Sequence, residues 1–325
     1  MREKLNLANL PTRIFKAESI SDSLGVNIYI KRDDQTGSEI SGNKIRKLEY
    51  SLKQALDMGA TTVITTGGIQ SNHCRATTAA ATMLGLKVVL LLRISEEPVI
   101  EGNFFLNKLF GAEIVYCNPQ EYRESRGEIM LRIASEKSSM GESCYIIPEG
   151  ASNGIGALGY FSAMEEIMRQ ESEMNTVFDT IVVAVGSGGT YSGLCLANKF
   201  FNLNKRVVGF AVCDTSEYFT ERIDLINREA LPLLGKEIDI SISDIEINDK
   251  YTGIGYALSS DEELEFIKKI AVTEALVLDP VYTAKAMYGL YNEIKSDNFK
   301  SSDNILFIHT GGLFGLFPKQ SQFRF

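Results

Sequence analysis

Short strand-like runs and helix-like runs alternate along almost the whole sequence. Asn27-Ile28-Tyr29-Ile30-Lys31-Arg32 alternates apolar and polar residues as a strand does. Residues 62–66, 87–92, 113–117, 144–147, 180–185, 206–212, 238–247, 276–278 and 305–309 read as further strands, and 87–92 is apolar enough to be buried on both faces. Helical spacing follows Lys44, where Ile45, Leu48, Leu52 and Ala55 recur on one face. It returns over 72–84, 103–110, 121–137, 156–171, 191–200, 217–234 (broken by Pro232), 261–275 and 281–294. This alternation predicts an α/β fold with open, twisted, mostly parallel sheets flanked by helices. Residues 47–154 hold a complete small set of strands and helices, which makes them a small α/β domain. Residues 1–46 with 155–325 then form a large domain, to which the N-terminal strand returns.

In such sheets ligands bind at the carboxyl ends of strands. The turns after Ile30, Thr66, Val185 and His309 all carry glycine and polar residues. Gly42-Asn43 is a turn and Lys44 opens a helix, near the positive end of its dipole, with Lys47 one turn on. Both effects push a lysine toward its neutral, nucleophilic form, as a Schiff-base lysine requires. A solvated basic helix start is the other reading of the same residues. Gly186-Ser187-Gly188-Gly189-Thr190 links a buried strand to a helix and reads as a phosphate cradle, or as a tight turn needing positive φ. It is neither a Walker A loop nor a full dinucleotide fingerprint, so a phosphorylated cofactor fits it better than NAD. Ser71, in Gln70-Ser71-Asn72-His73, stands at a helix N-terminus, either as a simple cap or facing a ligand carboxylate. His73 and His309 have no metal partner at ligand spacing, so no metal site is expected. Tyr256 and Tyr282 are core aromatics taken singly; as a pair facing a lysine they could relay a proton.

The composition, 44% hydrophobic and 23% charged over 325 residues, is that of a soluble globular protein. A net charge of −9 argues against a nucleic-acid-binding face. Five cysteines without paired spacing read as reduced thiols in a cytoplasmic protein. Met1-Arg2-Glu3-Lys4 lacks the apolar core of a signal peptide, and no apolar run is long enough for a bilayer.

Taken together, Leu10-Pro11-Thr12, Tyr29-Ile30-Lys31-Arg32-Asp33-Asp34, Gly42-Asn43-Lys44-Ile45-Arg46-Lys47, Ile69-Gln70-Ser71-Asn72-His73, Asp279-Pro280-Val281-Tyr282 and His309-Thr310-Gly311-Gly312 resemble a known family. It is the D-cysteine desulfhydrase and 1-aminocyclopropane-1-carboxylate (ACC) deaminase family of pyridoxal-phosphate enzymes, within the tryptophan-synthase-β-like group of fold type II. The resemblance spans essentially the whole chain. It implies two such sheets, pyridoxal 5'-phosphate as cofactor and a homodimer. It implies Lys44 as the Schiff-base lysine, with Lys47 and the turn Gly186, Ser187, Gly188, Gly189, Thr190 holding the phosphate. Asn72 is implied at the ring hydroxyl and Thr310 at the pyridine nitrogen. A hydroxyl at that nitrogen does not enforce a protonated ring, which favours elimination. Ser71, Asn72, His73 and Tyr282 are implied at the substrate, and Lys44, Ser71, Tyr256 and Tyr282 in catalysis.

ACC deaminases carry Glu where Thr283 stands and Leu where Thr310 stands, so both positions favour the desulfhydrase branch. The expected activity is β-elimination from a small β-substituted amino acid, D-cysteine first, giving pyruvate, ammonia and hydrogen sulfide. Alternatives are ACC deamination, L-cysteate sulfo-lyase activity, racemisation or β-replacement, and a non-catalytic binding protein on the same fold. Residues 257–260 and 313–315 depart from the family's usual runs and leave the substrate open.

Overall fold

A computed structural model describes residues 2–300 and 303–325, and the strands among these residues form two sheets. With strands numbered in chain order, the larger sheet runs β1 (Ile14–Lys16), β2 (Asn27–Lys31), β10 (Asn304–Ile308), β7 (Thr180–Val185), β8 (Arg206–Ala211) and β9 (Glu246–Asn248). The smaller runs β5 (Glu113–Cys117), β4 (Lys87–Arg93), β3 (Thr62–Gly68) and β6 (Cys144–Ile146). Every pairing is parallel except β1 with β2, as the strand-helix alternation leads one to expect.

The strand β7 explains the larger layer. All of its residues are buried, and alternate side chains enter opposite cores. Ile181, Val183 and Val185 pack with residues of α6 (Gly154–Met174), α7 (Gly189–Phe200) and α8 (Ser216–Ala230), including Phe161, Leu194 and Ile223. Val182 and Ala184 pack on the other face with Ile20 of α1 (Glu18–Leu24), Ile267 of α9 (Asp261–Glu274) and Leu290 of α10 (Thr283–Lys295). Burying an aliphatic side chain of this size contributes about 1.5–3 kcal/mol, so a strand apolar on both faces demands helices on both. In the smaller sheet, Val63 faces α2 (Lys44–Asp57), α3 (Asn72–Met83) and α4 (Gly102–Leu109), while Ile64 faces α5 (Pro119–Ser139).

Three expected elements differ from those found. Residues 238–247 do not form one strand: 242–244 make a 3₁₀ turn capped by Ser241, and pairing with β8 begins only at Glu246. Ile238, Ile240 and Ile245 pack against the large core without a ladder, Ile242 is exposed on the turn, and only Ile247 is in the paired segment, so the alternation does not mark one strand. Residues 276–278 pair with no strand, although Leu276 and Leu278 are buried for the same reason. Helix α10 starts at Thr283, not at Val281, because the Asp279 carboxylate accepts the amides of Val281, Tyr282 and Thr283 at 3.0, 3.1 and 2.8 Å. The edge strand β1 was not expected; at three residues it is too short to show a period.

A buried ionic cluster joins β2, α2 and α6. The Arg46 guanidinium donates to both Asp33 carboxylate oxygens at 2.8 Å and to both Glu166 oxygens at 3.0 Å. Lys31 Nζ donates to Glu166 at 2.6 Å, and the Tyr160 hydroxyl to Asp33 at 2.5 Å. Burial alone would raise the Asp33 carboxyl, but Arg46 and then Lys31 outweigh it and hold it at about 2. The cluster fixes Arg46, two residues beyond Lys44, to the large sheet.

Candidate active site

Four strand-end turns meet in one pocket, lined by Asn43, Lys44, Ser71, Asn72, His73, Glu149, Gly186, Ser187, Gly188, Thr190, Tyr256, Tyr282 and Thr310 among others. Lys44 is delivered there by main-chain locking. The Asn43 amide donates to the Thr310 carbonyl at 3.1 Å, and Gly42 has φ +102° with that carbonyl 2.8 Å from where a Cβ would sit. Only glycine allows this approach. Arg75 of α3, wholly buried, donates to the Glu39 and Ser41 carbonyls at 2.5 and 2.9 Å and fixes the loop before Lys44. Lys44 Nζ donates to Asn43 Oδ1 at 3.0 Å and lies 5.7 Å from the Tyr282 ring centroid.

Burial pushes the Lys44 ammonium down to about 8; Arg75 adds to the shift, while Asp279 and Glu149 oppose it. The cause therefore differs from the sequence argument, which invoked the helix dipole and Lys47. Desolvation is the main lever, and a like charge from α3 assists it.

Lys47 lies one turn deeper and is fully buried. Among the described residues its Nζ has one hydrogen bond, to Ser152 Oγ at 3.3 Å, and no carboxylate partner. Burial, with Lys44 nearby, drives its ammonium well below the usual lysine range. Ser152 Oγ also lies 2.7 Å from Ser187 Oγ and accepts the Gly189 amide at 3.2 Å. A Cβ on Gly189 would come 2.8 Å from Ser152 Oγ, so the loop before α6 and the glycine turn before α7 touch only because that residue is glycine. Thr190 Oγ1 accepts from Asn43 Nδ2 at 2.9 Å. The assembly is a helix N-terminus, three hydroxyls and a cation lacking a counter-ion, which together form an anion site. Ser152 was not singled out in the sequence. Asn43 likewise enters as a ligand of Thr190 and Lys44, not merely as a turn residue.

Ser71 caps α3, its Oγ accepting the Cys74 amide at 3.2 Å, and it also lines the pocket, so both readings of it hold geometrically. Asn72 Oδ1 accepts from Asn103 Nδ2 at 2.9 Å. His73 touches the pocket, yet its ring is engaged inward, Nε2 2.8 Å from Thr65 Oγ1 and Nδ1 3.5 Å from Thr77 Oγ1. Burial, then Lys44 and Lys47, keep its imidazole neutral. His309 is outside the pocket lining; its ring lies 2.9 Å from the Val277 carbonyl and accepts the Gly311 amide at 3.2 Å.

Across the pocket the Tyr256 and Tyr282 hydroxyls lie 2.6 Å apart, their rings edge to face. Burial raises Tyr256 to about 12 and Tyr282 well above the ordinary phenol value, so both keep their protons. The Arg93 guanidinium lies 5.7 Å from the Tyr256 ring centroid. Glu149, also unremarked in the sequence, brings a carboxylate to the pocket mouth, 3.9 Å from Arg126.

Residues 5–311 match the family described as pyridoxal-phosphate dependent enzyme. A Thermotoga maritima protein provisionally named a 1-aminocyclopropane-1-carboxylate deaminase is 45% identical over 97% of this chain and 98% of its own length. The mitochondrial bifunctional D-cysteine desulfhydrase/1-aminocyclopropane-1-carboxylate deaminase of Arabidopsis thaliana is 42% identical over 98% of this chain and 80% of its length. The crystal structure of an ACC deaminase homologue superposes with a TM-score of 0.89 at 39% identity, covering 98% of this chain and 94% of that one. A phosphate group matches the anion site around Lys47, and an aldehyde matches a lysine whose ammonium titrates near 8. The chain thus belongs to the pyridoxal-phosphate dependent enzymes, with pyridoxal 5'-phosphate as its cofactor.

Proposed function

We propose that this enzyme is a carbon–sulfur lyase that converts D-cysteine and water to pyruvate, ammonia and hydrogen sulfide. One observation carries the choice. The residue after Tyr282, Thr283, is fully buried, and its hydroxyl is bound to Asp279 at 2.8 Å. No carboxylate stands at that position to exchange protons with a cyclopropane carbon, whereas loss of a β-thiolate needs none.

In this reading the Gly186–Thr190 turn, Ser152 and Lys47 hold the cofactor phosphate, Asn72 meets the ring hydroxyl and Thr310 the ring nitrogen. Lys44 would hold pyridoxal phosphate, which when bound would supply the electron-withdrawing system that acidifies the substrate's Cα–H bond. Ser71 and the N-terminus of α3 receive the substrate carboxylate. Lys44 Nζ or Ser71 Oγ takes the Cα proton. Tyr282 and Tyr256, both protonated, give one to the departing sulfur. We also take residues 47–154 as a domain distinct from 1–46 with 155–325, and the protein as a cytoplasmic homodimer acting on a small amino acid.

The relatives' names favour a second reading, ACC deamination. Product analysis separates the two. D-cysteine should yield pyruvate and sulfide in equal amounts, with L-cysteine and L-cysteate poor. Release of 2-oxobutanoate from ACC as the main activity would replace this reading.

A further inference from the structure

Tyr256 sits on a loop, 249–260, whose ends are anchored by Tyr251, with its hydroxyl on Glu293 at 2.8 Å, and by the Ser260–Glu263 cap, but whose middle has fewer contacts. Ile254 and Leu258 are 66% and 52% exposed, so beyond Tyr251 burial of apolar surface does not fix that middle part. Its neighbouring contacts include a 3.3 Å amide bond from Leu258 to Gly255 and a 3.4 Å bond from Ser259 to Pro280. Lys285 supplies what is missing. It lies on α10, two residues beyond Thr283, with its side chain fully buried. Its Nζ donates to the main-chain carbonyls of Thr252 and Gly255, both at 2.6 Å, and of Val212 at 3.3 Å. Among the described residues it makes no ion pair; Glu263 and Asp279 offset its charge from farther away. Two of the three acceptors therefore belong to the loop, one of them directly before Tyr256, and the third, Val212, directly follows β8.

Three carbonyl oxygens pointing at one buried place need donors between them, and an ammonium supplies three together with a favourable positive charge. We propose that Lys285 is a positioning residue acting as a built-in cation, whose ammonium gathers the carbonyls of Val212, Thr252 and Gly255 and so holds Tyr256 against Tyr282. Removing the side chain leaves a carbonyl cluster that a small monovalent cation can occupy. The inference rests on the reading of Tyr256 as a substrate-facing group, but the tether itself is measurable without it.

The test is hydrogen exchange on the cofactor-loaded enzyme, for wild type, Lys285→Ala and Lys285→Met, alongside kcat and KM for D-cysteine. Exchange should accelerate over 249–260 in both variants while the visible cofactor spectrum stays unchanged. Turnover should fall by up to about 100-fold, mostly in kcat, as expected for a misplaced group. Ammonium or potassium chloride, but not tetramethylammonium chloride at equal ionic strength, should restore loop protection and kcat to Lys285→Ala. Lys285→Met, whose side chain fills the space, should not respond. If Lys285→Ala does not fold, Lys285→Gln carries the same readings with a smaller loss. Unchanged protection of 249–260, or faster exchange spread evenly through the chain, would overturn the tether. Lost protection with full turnover would leave the tether standing and remove Tyr256 from the reaction.

Discussion

Replacing Lys47 by Met should move two properties in opposite directions. The side chain is fully buried, and its ammonium has a single 3.3 Å hydrogen bond and no carboxylate partner among the described residues. In the cofactor-free protein that charge is desolvated without compensation, a cost of order several kcal/mol per ion before relaxation. Methionine is one atom shorter, keeps an unbranched side chain and removes the charge, so the cofactor-free protein should gain about 1–3 kcal/mol, a rise of a few degrees in Tm. Against the phosphate the same ammonium makes a charge-assisted contact worth about 1.5–3 kcal/mol, so cofactor binding should weaken about 10- to 150-fold. The pH dependence carries a sign. The folded pKa of Lys47 lies below its unfolded value of 10.5, so the unfolded chain binds the extra proton between the two. Wild-type stability should therefore climb with pH through that window, and the advantage of Lys47→Met should shrink toward pH 10.5. Calorimetry of cofactor-free protein at several pH values and absorbance titration with pyridoxal phosphate measure both effects. A variant that is less stable without cofactor, yet binds it as tightly, would refute the assignment of Lys47 to the phosphate.

Arg46→Met leaves Asp33 and Glu166 buried with only Lys31 as cation, and should cost about 3–5 kcal/mol by denaturant unfolding. In the wild type the depressed Asp33 carboxyl contributes about 2 kcal/mol that is present above pH 4 and lost as pH falls toward about 2, visible as an acid unfolding step that the variant lacks. Recapture of pyridoxal phosphate by cofactor-free protein should quicken as Lys44 loses its proton and level off above pH 8, where an ordinary lysine would still be rising. Tyr256→Phe should slow elimination from D-serine more than from D-cysteine, because hydroxide needs a donated proton more than thiolate does; equal losses in a steady-state assay would argue against proton donation by the tyrosine pair.

The sheets were legible because burial on both faces forces unbroken apolar strands such as Thr180–Val185, and parallel connection forces helices between them. The pocket was legible in part. Lys44, Ser71, the Gly186–Thr190 turn, Tyr282 and Thr310 each lie at a strand end or helix start, where local chemistry is visible in a few residues. Ser152 was not, because its role is defined by Ser187 and Gly189, more than thirty positions away. Nor was Lys285, because its acceptors are backbone carbonyls, which any residue provides and no side-chain pattern announces. The 238–247 stretch failed for a related reason: alternating isoleucines do not say whether a neighbouring strand offers hydrogen bonds, and here a turn at 242–244 interrupts them. The lowered Lys44 value was expected, but its leading cause, desolvation, depends on the packed surroundings and cannot be read from helix position alone.

The most direct test of the proposed reaction is a competition. The cofactor-loaded enzyme receives D-cysteine and ACC together at equal concentrations below either KM, and pyruvate and 2-oxobutanoate are measured in the same tube. Their ratio is the ratio of kcat/KM values. With a threonine at position 283, its hydroxyl bound to Asp279, in place of a carboxylate side chain, pyruvate should exceed 2-oxobutanoate by about 100-fold or more, the usual worth of a missing acid–base group. Comparable amounts, or an excess of 2-oxobutanoate, would contradict the assignment.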